Sequence, residues 1–253
     1  DTADARLAEE WKHHLTQALA DRQPDYLVVH HMEPDHASLV AWAMEQYPAM
    51  QIVCSTQAAK MLPQFFEGIK TDGRVRIVKE GDTLCLGQHT LRFIGAPMVH
   101  WPEELMSYEE KSGTLFSADA FGKFGALQNE TDDWACEARR YYFNICGKYG
   151  TQVKNVLKKA TSPCPQAICP LHGPMLRGAA LQQAVSLYET WSSYEPESEG
   201  VLVVYASIHG GTKKAAERLA DMLREKGAKK VVLADLTRSD MAEVIEDAFR
   251  YPA

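Results

Sequence analysis

The sequence predicts an α/β protein made of two units, and three observations lead to this prediction. Short apolar runs that suit strands alternate with amphipathic segments of helical period through residues 5–194. A polar, acidic segment with proline and glycine, YEPESEG at 194–200, interrupts this pattern. The strand–turn–helix–strand–helix order of residues 201–249 is the opening of a doubly wound parallel sheet. We therefore predict two domains, 1–193 and 200–253, the second of them incomplete.

The elements of the first domain follow from the spacing of its apolar residues, and their mixture allows α/β or α+β layering. The first predicted elements are a helix at 5–20, a strand at 26–29, a helix at 37–47 closed by Pro48, a strand at 50–55 and a helix at 57–66. Four β-type runs come next, at 75–82, 83–87, 89–97 and 113–119. They are followed by helices within 134–160, a strand leading into a loop at 166–173 and a helix at 179–194.

The second unit is predicted as a strand at 201–207, a helix at 212–226, a strand at 230–236 and a helix at 239–249. The chain opens on polar residues without an initiator Met and closes where another strand is expected. We therefore interpret it as a segment of a longer protein, which lacks the N-terminal strands of its first domain.

Composition excludes several classes of partner. The 253 residues carry a net charge of −7 and no basic stripe, which argues against nucleic acid. No apolar stretch approaches the ~20 residues needed to span a bilayer, so no membrane partner is expected. The six cysteines form no C-x-x-C pair, which is typical of reduced thiols in the cytoplasm.

The segment HHMEPDH at 30–36 concentrates metal-binding side chains behind an apolar strand. In extended backbone, alternate side chains share a side, so His31, Glu33 and Asp35 are expected to project together. Pro34 disfavours helical backbone at Glu33, and His36 adds a fourth donor as a helix begins. These six residues can thus supply ligands to two adjacent metal ions, although Asp35 could instead cap the helix.

Three further candidate ligands, His100, Asp119 and His172, each follow an apolar, strand-like run. Side chains at strand ends gather at one edge of a sheet, where binding residues are often found. Trp101, beside His100, either covers this site or belongs to the ordinary core.

The ligand series H-x-[EH]-x-D-H, His, Asp and His resembles that of the metallo-β-lactamase fold. Glu33 stands where hydrolases of that fold carry histidine, and this form resembles the flavodiiron proteins. The segments HMEPDH, HWPE, LFSADAFG and LHGP match site segments of that family in order. His30 and the segment EEL after HWP depart from the family's usual sequence at these positions.

The resemblance implies an αβ/βα sandwich holding two non-haem irons. One iron would be bound by His31, Glu33 and His100, the other by Asp35, His36 and His172, and Asp119 would bridge both. Carboxylate is a harder donor than imidazole and favours high-valent iron over zinc. The charges of Glu33, Asp35 and Asp119 sum to −3 against +4 for two ferrous ions, so the cluster would be nearly neutral.

The segment SIHGGT at 207–212 lies between an apolar strand and a helix, and it resembles the phosphate loop of flavodoxins. The residues that would surround an FMN phosphate are Ser207, His209, Gly210, Gly211 and Thr212. His209 stands where flavodoxins often have threonine. The flavin ring needs later loops that lie beyond this sequence, so whether the segment alone holds FMN stays open.

The resemblance implies a flavodiiron oxidoreductase that reduces O₂ to water or NO to N₂O with electrons passed through FMN. It also implies a head-to-tail homodimer or a tetramer. Since no rubredoxin-like C-x-x-C pair is present, the electron donor, such as rubredoxin or a reductase, would be a separate protein or lie in a region beyond this sequence. Two alternatives stay open: a dinuclear-zinc hydrolase of the same fold, and a non-catalytic binding protein with a relict metal site. The sequence does not decide between O₂ and NO.

Overall fold

The structure of the chain, a computed structural model, describes residues 1–127 and 134–253. Its helices are α1 (Ala8–Leu19), α2 (Pro34–Ala37), α3 (Val40–Gln46), α4 (Thr56–Phe65), α5 (Trp134–Ile145), α6 (Gly150–Thr161), α7 (Gly178–Ser192), α8 (Gly211–Glu225) and α9 (Met241–Arg250). Its strands are β1 (Tyr26–Val28), β2 (Gln51–Cys54), β3 (Val75–Ile77), β4 (Thr83–Leu86), β5 (His89–Gly95), β6 (Leu105–Glu109), β7 (Thr114–Phe116), β8 (Ala167–Cys169), β9 (Leu176–Arg177), β10 (Val201–Tyr205) and β11 (Val231–Asp235).

Two sheets pack face to face and carry helices on their outer faces. The first is parallel, in the order β1-β2-β3, and the second has six strands in the order β4 to β9. An apolar cluster that includes Val53 of β2 and Phe93 of β5 lies between them. Helices α2 to α4 cover the outer face of the small sheet, and α5 to α7 cover that of the large one. These four layers confirm the predicted αβ/βα sandwich.

Two strands were not predicted from the sequence, β6 and β9. All five residues of β6 are buried, so the strand shows no apolar–polar alternation, and two glutamates precede it. It pairs with β5 on one side and β7 on the other, in the centre of the large sheet. A strand that is buried on both faces loses the period of two by which a half-exposed strand is identified.

The predicted alternation through HHMEPDH is wrong beyond Glu33. The backbone is extended at Glu33, with ψ 141°, but Pro34 occupies the first turn of α2 and the helix already includes Asp35. Glu33 is the residue at the N-cap position, so Asp35 does not cap this helix. Proline suits the first helical turn because its missing N–H has no partner there. Asp35 therefore turns away from the row formed by His31 and Glu33.

The first two residues of the chain hold the loop of residues 30–36 in place. Thr2 donates its backbone N–H to the carbonyl of His36 at 2.6 Å, and its hydroxyl donates to the same oxygen at 2.9 Å. The carboxylate of Asp1 accepts the backbone N–H of His30 at 2.8 Å and contacts the ring of His30. Both ends of the loop are therefore fixed by hydrogen bonds before any metal binds.

Beyond α7, β10 and β11 form a parallel pair, and α9 packs on α5 of the preceding sandwich. The segment predicted as a linker is anchored by Glu197, which pairs with the buried Arg139 of α5 and accepts the indole N–H of Trp191. The backbone N–H groups of Glu197 and Ser198 donate to the carbonyl of Arg250. Within the described ranges, no helix is both long and apolar enough to cross a bilayer.

Candidate metal centre

One group of ligand atoms is built around His31, which follows β1 and is completely buried. Its Nε2 atom lies 3.2 Å from Oε2 of Glu33. The same glutamate oxygen lies 3.2 Å from Nε2 of His100, in the loop between β5 and β6. These three side chains and Asp119 place one ligand atom each within 4.8 Å of one another. Four donors at this spacing suit a single metal ion.

A second group combines Asp35 and His36 of α2 with His172, which follows β8. The Nε2 atoms of His36 and His172 lie only 3.0 Å apart. Each of them lies 3.3 Å from Oδ2 of Asp35. Two imidazole nitrogens and a carboxylate oxygen therefore converge on one point, which is the arrangement expected around a second ion.

Asp119, which follows β7, lies between the two groups and turns one oxygen to each. Its Oδ2 atom is 3.3 Å from Nε2 of His100 and 3.9 Å from that of His31. Its Oδ1 atom is 3.0 Å from Nε2 of His36 and 3.7 Å from that of His172. A carboxylate in this position can bridge two metal ions.

Two side chains that the sequence did not single out support these ligands. Glu103 accepts a hydrogen bond from Nδ1 of His31 at 2.9 Å and another from the backbone N–H of Met32 at 2.8 Å. Tyr141 of α5 donates its hydroxyl to Oδ2 of Asp119 at 2.8 Å. A carboxylate on the far nitrogen of a ligating histidine fixes the tautomer and orients the ring. Neither residue lies near its partner in sequence, so only tertiary structure reveals these contacts.

The pKa values of the cluster indicate that its carboxylates stabilise a positive charge among them. Burial alone lowers the pKa of His31, but hydrogen bonds to Glu103 and Glu33 outweigh it and raise the pKa to about 10. In the same way, hydrogen bonds to Asp119 and Glu33 overcome burial and raise the pKa of His100 to about 9. Hydrogen bonds from His100 and His31 lower the pKa of Glu33 to about 2. Several carboxylates in one buried space favour a cation among them.

The donor set fits a pair of irons. The Oδ1 atom of Asp35 is buried and has no hydrogen-bond partner among the described residues, and the other oxygen of this carboxylate lies 3.3 Å from each of the two convergent imidazoles. Three carboxylates and four imidazoles supply oxygen and nitrogen donors, which suit iron, and no thiolate is among them. The side chains of Glu33, Asp35 and His172 are 35, 33 and 32% exposed, so the centre is open on one side.

Trp101 both covers the centre and belongs to an apolar cluster. Its ring meets that of His31 edge-on at 5.2 Å between centroids. It also contacts Phe65 of α4 and packs against the core around the small sheet. Trp101 therefore both covers the site and belongs to the core, which were the two alternatives considered from the sequence. It shields one flank of the first ligand group.

The predicted phosphate loop is an open turn between β10 and α8. The hydroxyl of Ser207 accepts the backbone N–H of Gly210, which has a left-handed φ of 81°. His209, Gly211 and Thr212 are exposed at the N-terminus of the 15-residue helix α8. The N–H groups at a helix N-terminus attract anions, which is the basis of the predicted role. Ile208 is 89% exposed at the tip of the loop.

Comparisons with known proteins give one consistent family. A family model described as "ODP family beta lactamase" matches residues 2–173. A rubredoxin-oxygen oxidoreductase from Megalodesulfovibrio gigas is 30% identical over 236 residues, which cover 90% of this chain and 58% of the relative. An anaerobic nitric oxide reductase flavorubredoxin from Escherichia coli O1:K1 / APEC is 28% identical, over 99% of this chain and 53% of the relative.

A solved structure agrees with these sequence matches. The crystal structure of the flavodiiron protein from Giardia intestinalis superimposes with a TM-score of 0.89 at 29% identity, over 97% of this chain and 61% of that one. This chain therefore spans between about half and three fifths of the length of these proteins.

Proposed function

This chain belongs to the flavodiiron protein family, and we infer from that premise that it carries the metal site of an oxidoreductase. The proposed reaction is the reduction of O₂ to water or of NO to N₂O. Relatives named for each activity, a rubredoxin-oxygen oxidoreductase and a nitric oxide reductase flavorubredoxin, support this reaction class.

The proposed ligands of one iron are His31, Glu33 and His100. The proposed ligands of the second are Asp35, His36 and His172, with Asp119 between the two. The position of Asp119 carries the proposal, because each of its oxygens faces a different ligand group at 3.0–3.3 Å from the nearest imidazole nitrogen. A single metal ion within one group would contact only one of these two oxygens.

The protein's own contribution is to hold the donors in position and to limit access. Two ferrous ions would supply the electrons that a small diatomic molecule takes up, which zinc cannot do. Glu103 fixes the ring of His31, and Tyr141 keeps one oxygen of Asp119 in place. Trp101 closes one flank, so reactants enter past the partly exposed Glu33 and His172.

Electrons are proposed to arrive through FMN, whose phosphate would bind at Ser207, His209, Gly210, Gly211 and Thr212. The open N-terminus of α8 supports this assignment. The proposed donor is rubredoxin or a reductase, and the proposed assembly is a head-to-tail homodimer or a tetramer. Sparse cysteines without a C-x-x-C pair favour a reducing compartment, and we propose the cytoplasm.

The test is metal analysis and turnover of the complete, natively purified protein. We expect two irons per chain and FMN-dependent consumption of O₂ or NO after anaerobic reduction. Stopped-flow mixing with each gas separately would give the preference between them. Zinc in place of iron, with esterase activity and no redox turnover, would instead identify a dinuclear-zinc hydrolase and refute the proposal.

A further inference from the structure

A small cavity lies inside the apolar core between the large sheet and the helices that cover it. The nine residues that line it are each at most 5% exposed, and all of them belong to the apolar cluster beneath α5 to α7. Helix α6 forms one wall, with the side chains of Val153, Val156, Leu157 and Ala160. The proposed function assigns no role to this cavity.

The lining of the cavity excludes water. Within the described part of the chain, no polar atom faces its interior. Tyr188 is the one lining residue with a side-chain hydroxyl, and this hydroxyl accepts the backbone N–H of Phe121 at 2.6 Å. A buried water needs about two to four polar partners, and a cavity with apolar walls stays dry. The ligand that these walls favour is therefore a molecule that needs no hydrogen bond.

The size of the cavity restricts the ligand further. It leaves about 10 Å³ in which the centre of a water-sized sphere can move. This is room for a molecule of two bonded atoms, and it is too little for a cofactor ring or an acyl chain. O₂ and NO, the gases of the proposed reaction, are diatomic and almost apolar. Size and lining thus fit the same class of molecule.

The covalent chain fixes the position of the cavity relative to the metal centre. Val99 lines the cavity and is bonded to His100, and Ala120 lines it and is bonded to Asp119. The Cα atoms of consecutive residues are about 3.8 Å apart. His100 and Asp119 are themselves in contact, with 3.3 Å between Nε2 and Oδ2. The cavity therefore adjoins this pair of proposed ligands from the side of the core.

The segment after Asp119 is a wall that the cavity shares with the metal centre. Phe121, which lines the cavity, has a left-handed φ of 67°, and its ring packs on that of Tyr188 at 4.4 Å between centroids. A Cβ atom at Gly122 would lie 2.8 Å from the carbonyl oxygen of Asp119 and 3.2 Å from Cβ of His172. Unusual backbone of this kind persists where the surrounding packing imposes it. The wall is thus held in place, and the core does not collapse into the cavity.

We propose that this cavity binds one molecule of the substrate gas and passes it to the metal centre. The inference rests on the proposed function, which supplies O₂ or NO as the substrate. The entrance past the partly exposed Glu33 and His172 is polar and gives an apolar gas no affinity. The cavity favours such a molecule over water by about fourfold, the preference of one methylene group. The gas reaches the irons past Val99 and Ala120, and no bond forms or breaks in this step.

The first measurement is independent of activity. Crystals of the complete, iron-loaded protein that are cooled under krypton, an apolar atom similar in size to a diatomic gas, should contain one krypton in the cavity. Ala160→Val fills the cavity and should exclude krypton, whereas the matched change Ala179→Val, at an exposed position of α7, should keep it. A cavity that stays empty in the wild type, or krypton that remains there in Ala160→Val, would overturn the proposal.

A second variant fills the same space from the preceding turn of α6. Val156→Ile adds a single methylene group at a lining position, so it tests the proposal even where Ala160→Val does not fold. It should exclude krypton in the same way. Krypton bound in Val156→Ile as strongly as in the wild type would contradict the assignment of the cavity.

The second measurement is turnover at different gas concentrations. Both filled variants leave the ligands unchanged, so kcat should stay the same while KM for the gas rises about fourfold. Ala179→Val should have the KM of the wild type. Filled variants that bind two irons and keep the wild-type KM would overturn the proposal. A wild-type protein with two irons that consumes neither gas would refute the proposed function instead, and krypton would still decide whether the cavity takes up an apolar gas.

Discussion

At the scale of single residues, we propose that the identity of the donor at position 33 determines which metal the centre favours. The Oε2 atom of Glu33 is equidistant from two imidazole nitrogens, at 3.2 Å from each. An imidazole there would give the ligand set of a hydrolase of the same fold. A carboxylate adds a negative charge and a hard oxygen donor, which together favour iron that changes its valence.

We propose that Glu103 acts on the metal through its hydrogen bond to His31, and this gives a test at the same scale. Glu103→Gln removes the charge that fixes the imidazole, so we expect iron to bind about tenfold more weakly. The measurement is iron retained per chain during dialysis against a graded chelator. Glu67→Gln, at an exposed position, is the control and should retain iron like the wild type. Equal retention by all three proteins would show that the hydrogen bond to His31 has no effect on binding.

At the scale of elements, α5 links the metal centre to the segment that follows the sandwich. Tyr141 on this helix donates to Asp119, and Arg139 on it pairs with Glu197. Glu246 of α9 also approaches Arg139, with 3.9 Å between the charged atoms. One helix therefore supports a proposed bridging ligand and anchors both the 194–200 segment and α9.

The contact between α9 and α5 should make stability depend on pH. Burial raises the pKa of Glu246 to about 7 from an ordinary 4.5, although Arg139 opposes the shift. The folded protein thus keeps a proton that the unfolded chain releases at lower pH, so this contribution is complete below pH 4.5 and is lost as pH rises to about 7. Glu246→Gln should flatten this part of the Tm–pH curve.

The control for that experiment is Glu243→Gln, a change at an exposed position of the same helix. It should leave the slope of Tm against pH unchanged between pH 4.5 and 7. If Glu246→Gln and the wild type gave parallel curves over this range, Glu246 would not be the group responsible.

The same interface contains a stacked aromatic pair. The rings of Phe143 and Phe249 lie 4.4 Å apart and are inclined by 7°. Phe249 is 39% exposed, so Phe249→Ala should lower the free energy of unfolding by about 1–2 kcal/mol, less than for a full core position. Denaturant unfolding measures this change. Met241→Ala, at a half-exposed position of α9, should have a smaller effect, and a reversed order would contradict the importance of the stack.

At the scale of the whole molecule, the metal centre joins parts of the chain that are far apart in sequence. Its proposed ligands come from segments between His31 and His172, and they follow strands of both sheets. Without metal, the two layers meet at this edge through contacts between imidazoles and carboxylates. The ions should therefore hold the two halves of the sandwich together.

Removal of iron should accordingly lower thermal stability. A ligand at about 100 times its Kd stabilises a protein by about 2.7 kcal/mol, which corresponds to about 5–10 °C in a chain of this size. We expect the chelated, anaerobic protein to unfold at a Tm lower by this amount and to recover on addition of ferrous ion. The Asp119→Asn variant should respond less to iron, because it loses the charge between the groups. A Tm unchanged by chelation would show that the centre does not connect the layers.

Local patterns in the sequence by themselves indicated most of the elements and the candidate ligands, whereas the layered sandwich was implied by the resemblance to a family. Apolar periodicity indicated most strands and helices, and HHMEPDH placed four donors within six residues. The comparison with solved structures confirmed the fold class, whereas the ligand roles remain predictions. Only the structure decided the course of α2 through Asp35 and the support of His31 by Glu103. The contact between Glu103 and His31 joins side chains that are 72 residues apart in the chain, and no local pattern encodes such a contact.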